Sequence, residues 1–347
     1  MDRQLFDLSG LFGDGRLWSC HEVLHHCHSG IHQRRRGGLG LPLERLMRHT
    51  PDQERERLSR GIAPMWASAW GEDEYGVFAS FEVAGVEQRM RWIAPGIFVM
   101  GSPQTEPGRD DDEGPRHMVT LTHGYWLADT PCTQALWEVA MGDNPSQFRS
   151  PRRPVEKVSW EDVQNFIEKL NERVAGLLAD LPTEAQWEYA CRAGTSTATY
   201  AGPIEIYGAN NAPVLDVIAW YGGNSGMDFD LDDGWDSSGW PDKQYMHQEA
   251  GTRDVALKKP NAWGLYDMLG NVYEWCADVA RDYAVQLRAD SFSASGPSRV
   301  HRGGGWNSYA RHVRAANRGW RVSSSRYDDL GFRLARGQDL RQVNPRG

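Results

Sequence analysis

Fifteen tryptophans and 37 glycines in 347 residues rule out most simple architectures at once. Glycine supplies turns that other residues resist, and each tryptophan anchors a large ring, so the chain reads as many short segments joined by tight turns. A helical bundle does not fit this pattern. Apolar residues make up 40% of the chain, enough to bury a substantial core in one large or two ordinary domains.

Charge and cysteine content narrow the setting. Asp and Glu total 47 against 38 Lys and Arg, and the net charge of -9 opposes non-specific attraction to nucleic acid or an anionic membrane. Neither is expected as a partner. Cys20, Cys27, Cys132, Cys191 and Cys276 are few and odd in number, as expected of free thiols in a reducing compartment. The acidic opening Met1 to Leu8 lacks signal-peptide character, and no apolar run approaches the roughly 20 residues of a spanning helix. A cytoplasmic protein is predicted.

Residues 1–38 carry a His/Cys cluster followed by Arg34-Arg35-Arg36-Gly37-Gly38, without an apolar period. Residues 39–74 read as a short helical connector, with a helix pair between Leu41 and about Leu58. The main domain is assigned to 75–336, with a C-terminal tail over 337–347. In it, Val77 to Val83 and Val86 to Ile93 alternate around Ala84-Gly85, predicting a hairpin, with a third strand over Ile97 to Met100. His117 to Thr122 and Tyr125 to Ala128 read as another short strand pair, and Thr133 to Met141 as a helix. Ser159 is set to cap a helix ending near Val174. Thr183 and Gln186 form a capping-box pattern for a helix whose C-cap falls at Gly194. Residues 195–265, rich in Gly, Asp and Asn, predict long irregular loops.

Four stretches occur in order: Phe98-Val99-Met100-Gly101-Ser102; Leu181 to Ala190; Asn261 to Trp275, containing Gly270-Asn271-Val272; and Arg302-Gly303-Gly304-Gly305-Trp306, closing with Leu330-Gly331-Phe332-Arg333. Together they resemble the formylglycine-generating-enzyme (sulfatase-modifying-factor) family. The resemblance implies an α+β, loop-rich C-type lectin-like fold with few regular elements. It also implies copper(I) chemistry on two cysteine thiolates placed just after the Gly-rich motif, because a soft ion needs soft ligands. Here Asn307, Ser308, Tyr309, Ala310, Arg311, His312 and Val313 follow, and no cysteine occurs beyond Cys276. No copper is expected.

Residues 299–336 also resemble the terminal region of variable proteins from diversity-generating retroelements, in which chosen codons are randomised on a fixed lectin-type framework. The framework is similar to Arg302-Gly303-Gly304, Trp306-Asn307, Ala310-Arg311, Val313 to Arg318, Arg326 and Leu330 to Leu334 here. The positions between are the candidate ligand-binding residues: His301, Gly305, Ser308, Tyr309, His312, Gly319, Arg321, Val322, Ser323, Ser324, Ser325, Tyr327, Asp328 and Asp329. Their mixture of Ser, Tyr, Asp, Gly and His resembles an antibody paratope. Trp320, whose codon adenine mutagenesis of an Asn codon does not reach, is assigned to the framework. This reading is a non-catalytic binder of a protein or other macromolecule. The alternative is a metal-dependent, non-heme iron oxidoreductase: relatives without the cysteine pair include iron-dependent sulfoxide synthases and a peptide-side-chain oxidase of siderophore maturation. His301, Tyr309 and His312 are then the chemically capable groups. The sulfoxide synthases place iron histidines in an additional N-terminal helical domain, for which the roughly 90 residues available here are expected to be too short.

The family resemblance further implies a structural calcium ion held by Asp267, the carbonyls of Gly270 and Val272, and Glu274, a hard-oxygen set suited to calcium. The bland counterpart is Glu274 paired with an arginine. Asp228, Asp230, Asp232 and Asp233 imitate an EF-hand start, but Gly234 comes one place late and Gly239 stands at the twelfth position. His21-Glu22-Val23-Leu24-His25 matches the zinc-protease spacing formally, without a packed context. Nine arginines between 299 and 336 raise phosphate binding as an option. Pairing with acids, with their stems over apolar surface, explains them better.

Overall fold

The computed structural model describes residues 56–283 and 296–337, together with the backbone of two isolated strand pieces, Trp18–Ser19 and Arg288–Ala289. The His/Cys cluster with its zinc-protease-like motif, nearly all of the predicted helix pair and the tail beyond Gly337 lie outside the described residues.

The largest sheet runs β1 (Trp18–Ser19), β2 (Ala69–Asp73), β3 (Gly76–Val83), β4 (Val86–Ile93), β7 (Tyr125–Ala128), β16 (Ala335–Arg336) and β8 (Ala179–Asp180), in that spatial order. β3 and β4 form the predicted hairpin, and its turn residues Ala84 and Gly85 both have positive φ, 50° and 83°, which matches the twist of the paired strands. The assignment of 39–74 to a connector is corrected in part. Ala69–Asp73 pairs with β3, while Trp66 packs edge-on against Phe81 and Trp126, so the packed domain begins before Tyr75.

A second correction concerns β6 (His117–Leu121) and β7. Both strands form, but they do not pair with each other. β6 joins β5 (Gly96–Met100) and β12 (Arg288–Ala289) in a three-stranded sheet, while β7 pairs with β4 and β16. The chain turns at Gly124, where a side chain would strike the Trp92 ring at 2.4 Å.

Helix α1 (Gln134–Met141) is capped by Thr133, whose hydroxyl accepts from the Leu136 amide. α2 (Trp160–Arg173) starts at Ser159 with a reciprocal capping box to Asp162, ends at Val174, and buries Val163, Phe166, Ile167 and Leu170. α3 (Glu184–Arg192) starts from the Thr183–Gln186 box. It closes at Ala193, one residue before the predicted Gly194, both in the left-handed region. α1 and α2 cover one core against the large sheet, with Trp137 stacked on Phe166 at 5.1 Å and both rings edge-on to Phe332.

A second core lies beneath α3 and a four-stranded sheet ordered β14 (Arg318–Val322), β13 (Ser298–Arg302), β11 (Tyr273–Val279) and β15 (Leu330–Gly331). Between 195 and 265 the described elements are a short 3-10 turn (Pro213–Leu215) and the two-residue strands β9 (Trp235–Asp236) and β10 (Glu249–Ala250), as the composition predicts. No helix among the described residues is long and apolar enough to cross a membrane.

Candidate binding surface

The four-stranded sheet sorts the candidate residues by strand alternation. Trp275 lies opposite His301, and His301 opposite Gly319, so Tyr273, Trp275, His301, Gly319 and Arg321 share one face. His301 is buried there, its ring 4.7 Å from Tyr273 and 6.1 Å from Trp275, both edge-on. Burial, reinforced by Arg321 and Arg302, pushes its imidazole down to about 3, so it is neutral across the physiological range. Gly319 is fixed by this neighbour: an added Cβ would sit 2.5 Å from His301 Cε1.

Further along, the Gly305 amide donates to Ser308 Oγ at 2.9 Å, and Ser308 hydrogen-bonds the Tyr273 hydroxyl. Asp329 lies under Gly305, where a Cβ would meet its own at 3.0 Å. Asn307 binds the Asp329 carboxylate, and burial raises its pKa. Two buried polar atoms here have no hydrogen-bond partner among the described residues, Asp329 Oδ1 and His301 Nδ1. These five candidates, His301, Gly305, Ser308, Gly319 and Asp329, form a floor. Of these, His301, Gly305, Ser308 and Asp329 are buried, and Gly319 is half-buried against the His301 ring.

The remaining candidates, apart from Val322 on the opposite face of β14, form a rim. Tyr309, Val322, Ser324 and Tyr327 are exposed, and His312, Arg321, Ser323, Ser325 and Asp328 are intermediate. Tyr309 stacks loosely with His312 at 6.2 Å. Arg311 donates to His312 Nε2 at 3.0 Å and pairs with Asp110 at 2.7 Å, and burial with the Arg311 charge lowers the His312 pKa. The Arg321 guanidinium lies 4.0 Å over the Tyr327 ring. The Ser323 and Tyr327 carbonyls accept from the Trp160 and Lys157 amides, tying the far end of the rim to the start of α2. Trp320, assigned to the framework, is 49% exposed on the opposite face of β14 beside Val322.

Sequence reasoning missed Tyr273 and Asp110. The two-residue alternation of Tyr273 with Trp275 could have placed Tyr273 on this face. Asp110 meets Arg311 from 201 residues away, and no local pattern announces it.

Beneath the rim, the framework arginines are held by acids. Arg302 binds Glu188 and lies 3.4 Å from Glu184, while donating to the Ala315 and Ala316 carbonyls at 3.0 Å each. Arg318 binds Glu184 at 2.7 Å, and Arg314 reaches Glu106 and Glu113 at 2.6 and 2.5 Å. Burial alone would push the Glu184 and Glu113 carboxyls up, but the guanidiniums of Arg318 and Arg302, and of Arg314, bring each below the usual range.

The implied calcium set can be tested on its donors. Glu274 Oε2 accepts from Trp187 Nε1 at 2.6 Å and Arg333 Nε at 2.7 Å, and Oε1 accepts from Arg333 at 2.7 Å, so the arginine pairing is present. Asp267 is buried with a positive φ of 51°. Its Oδ2 accepts from the Ala256 amide at 2.7 Å, and its Oδ1 has no hydrogen-bond partner among the described residues. Asp267 Oδ1 is thus the open oxygen of this set, whereas both Glu274 oxygens are engaged by Arg333 and Trp187. The imitation EF-hand differs: Asp230 is taken by buried Arg153 at 2.5 Å, and no three His, Cys, Asp or Glu side chains converge as a metal site among the described residues.

The loop-rich α+β scaffold defines a class, and comparison with known proteins identifies it. Residues 75–338 match the Sulfatase-modifying factor enzyme 1-like domain, and the chain belongs to this family. Chaperone protein LppX of Paenibacillus barcinonensis is 29% identical over 252 residues, covering 63% of this chain and 81% of that protein. The formylglycine-generating enzyme of Mus musculus is 29% identical over 233 residues, and the match covers 63% of this chain but only 53% of the mouse protein. Among solved structures, Treponema denticola variable protein 1 is 28% identical with a TM-score of 0.59, covering 75% of this chain and 99% of that one. PvdO from Pseudomonas aeruginosa is 27% identical with a TM-score of 0.58, covering 75% and 98%. The resemblance to both the formylglycine-generating family and the retroelement variable proteins is thus shown, and so is the C-type lectin-like fold.

Proposed function

We propose that this protein is a non-catalytic, ligand-binding member of its family, taking a protein or other macromolecule on the rim around Tyr309, His312, Arg321, Ser324 and Tyr327. One observation carries the reading: the candidate residues separate into a packed floor and an exposed rim, the division a binding scaffold needs between fixed support and adaptable contacts. Likeness to a variable protein supports it. Diversification, in this reading, centres on the rim, because a side chain at Gly319 strikes the His301 ring and one at Gly305 crowds Asp329.

The test is a display library randomised at Tyr309, His312, Arg321, Ser324 and Tyr327 and selected against a folded target such as lysozyme, with metal analysis of the purified parent protein. Folded binders with parent-like melting are expected. A library that fails to fold, or stoichiometric iron or copper in the parent, overturns the reading.

The second reading, a metal-dependent oxidoreductase, is favoured by the two unpartnered floor atoms, His301 Nδ1 and Asp329 Oδ1, and by likeness to PvdO. Stoichiometric iron lost on H301A substitution would establish it. We further propose a structural calcium ion on Asp267, Gly270, Val272 and Glu274, supported by the unpartnered Asp267 oxygen. A chelator is expected to lower the melting temperature, and an unchanged melt with no calcium in the purified protein overturns the proposal. A reducing, cytoplasmic setting and the absence of nucleic-acid and membrane partners belong to the same proposal. The separately buried free thiols of Cys132, Cys191 and Cys276 support the reducing compartment.

A further inference from the structure

We infer that the loop region 195–250 is a second interaction surface, built for a lysine- or arginine-rich segment of a partner protein and distinct from the rim, which it adjoins where the Ala310 amide donates to the Ala209 carbonyl. The charge of the molecule is concentrated there. Residues 195–250 hold nine Asp and Glu against a single Lys and no Arg, nine minus one giving a net charge of -8, out of -9 for the whole chain. The one lysine does not offset this at the surface, because Lys243 Nζ turns inward to the Ser237 and His247 carbonyls at 2.8 and 2.5 Å. Arg153 holds Asp230, and Lys258 approaches Asp216 at 3.6 Å. Glu205, Asp232, Asp233, Asp236, Asp242 and Glu249 are exposed and make no ion pair among the described residues.

Large apolar side chains stand exposed among these acids: Met246 at 87%, Tyr207 at 69% and Trp235 at 57%. Hydrogen bonds make the strip continuous. Asp242 accepts from the Ala209 amide at 3.1 Å, Gln244 donates to the Asn210 carbonyl at 3.0 Å, and Ser237 donates to the Gln248 carbonyl at 2.8 Å. Tyr207 and the neighbouring Tyr245 use their hydroxyls on Glu205 and Asp216, at 2.7 and 3.0 Å.

Charge complementarity selects the occupant. A neutral apolar partner would strip water from unpaired carboxylates, which is costly, and an anionic partner is repelled. No three acids converge as a cation cage among the described residues, so the charge acts as a field over a surface. Arginine and lysine side chains satisfy both components, placing cations on carboxylates and aromatic faces while their stems cover Met246 and Trp235.

The experiment uses the full chain and a fluorescein-labelled Arg-Gly repeat peptide, read by anisotropy, with a Glu-Gly peptide as control. Binding of the Arg-Gly peptide alone is expected, weakening at least about tenfold from about 50 to about 500 mM salt. D232N/D233N/D236N is expected to weaken it about tenfold and W235A/M246A about threefold, whereas Y309A/Y327A leaves it unchanged, which separates this surface from the rim. Thermal melts check folding, and E205Q/E249Q is read instead if the triple variant unfolds. No binding at about 50 mM salt, equal binding of the Glu-Gly peptide, or folded acid variants that bind like the parent would overturn the inference.

Discussion

Two sets of arginines within residues 299–336 do opposite things. Arg302, Arg314, Arg318 and Arg333 are buried and enclosed by carboxylates and backbone carbonyls. Arg311, Arg321 and Arg326 lie at the surface, with Arg311 and Arg326 on half-open acids and Arg321 over a tyrosine ring. One residue type is enclosed by acids where it is dry and stands at the surface, as framework at Arg311 and Arg326 and as rim at Arg321, where it is wet. The lesson is that arginine content alone says little about anion binding: the guanidiniums of Arg302, Arg314, Arg318 and Arg333 are already committed.

The sharpest way to break this comparison is at Arg302. Substituting methionine removes the cation between Glu184 and Glu188, leaves both carboxylates buried, and is expected to cost about 3–5 kcal/mol in urea unfolding. Arg302→Lys should recover less than half of that, because a point charge does not serve two carboxylates and two carbonyls as the planar fork does. Full recovery by lysine would mean that charge, without geometry, holds this core.

Glu156 sharpens the comparison from the acid side, since it is fully buried without an arginine. Burial pushes its carboxyl up to about 8, against only the Phe148 and Gln147 amides and the distant Lys157, with Asp328 adding to the rise. The unfolded chain loses this proton near 4.5 and the folded chain keeps it to about 8, so the unfolded state binds fewer protons in that window. Glu156 therefore makes stability fall as pH rises from about 4.5 to about 8 and level off above it. Glu113 and Glu184, lowered by their arginines, act oppositely: their contribution is present above the ordinary glutamate pKa and fades as acid protonates them. Glu156→Gln should remove the alkaline decline and stabilise the protein at pH 9 by on the order of 3 kcal/mol. An unchanged pH profile of the melting temperature would mean that Glu156 is ionised in the folded protein.

What could be read from sequence follows the range of the interactions involved. The caps at Ser159 and Thr183 act over three residues, and both helices form where predicted. The hairpin at Ala84-Gly85 is equally local. β6 and β7 form as predicted, but their partners come from elsewhere in the chain, and spacing along the chain suggested the wrong pairing. The site divides in the same way. The sequence marks which positions lie between framework residues. Whether each is floor or rim depends on Tyr273 over His301 and Asp329 under Gly305, contacts that no period reveals.

Gly319 tests that division with a single methyl group. Gly319→Ala drives a Cβ to 2.5 Å from the His301 ring, and is expected to cost about 1–3 kcal/mol of unfolding free energy. His301→Ala empties the space, so the double variant should lose less than the sum of the singles, a coupling that a double-mutant cycle measures directly. Strict additivity would place the strain somewhere other than the floor.

The smallest effect belongs to the exposed arginines and comes closest to the functional claim. Arg326 binds Asp162 through two hydrogen bonds, at 2.7 and 2.8 Å, yet both side chains remain substantially exposed, so water and salt screen the pair. Asp162 also keeps its capping-box bond to the Ser159 amide when the arginine is gone. Arg326→Ala should therefore cost no more than about 1 kcal/mol, and less at high salt, whereas Tyr309→Ala and Tyr327→Ala should stay within about 0.5 kcal/mol. A rim this inexpensive to change is what a binding surface requires, because its residues are then free to be chosen for a partner. If the rim variants instead lost several kcal/mol each, rim and floor would be one packed unit, and the division on which the binding reading stands would disappear.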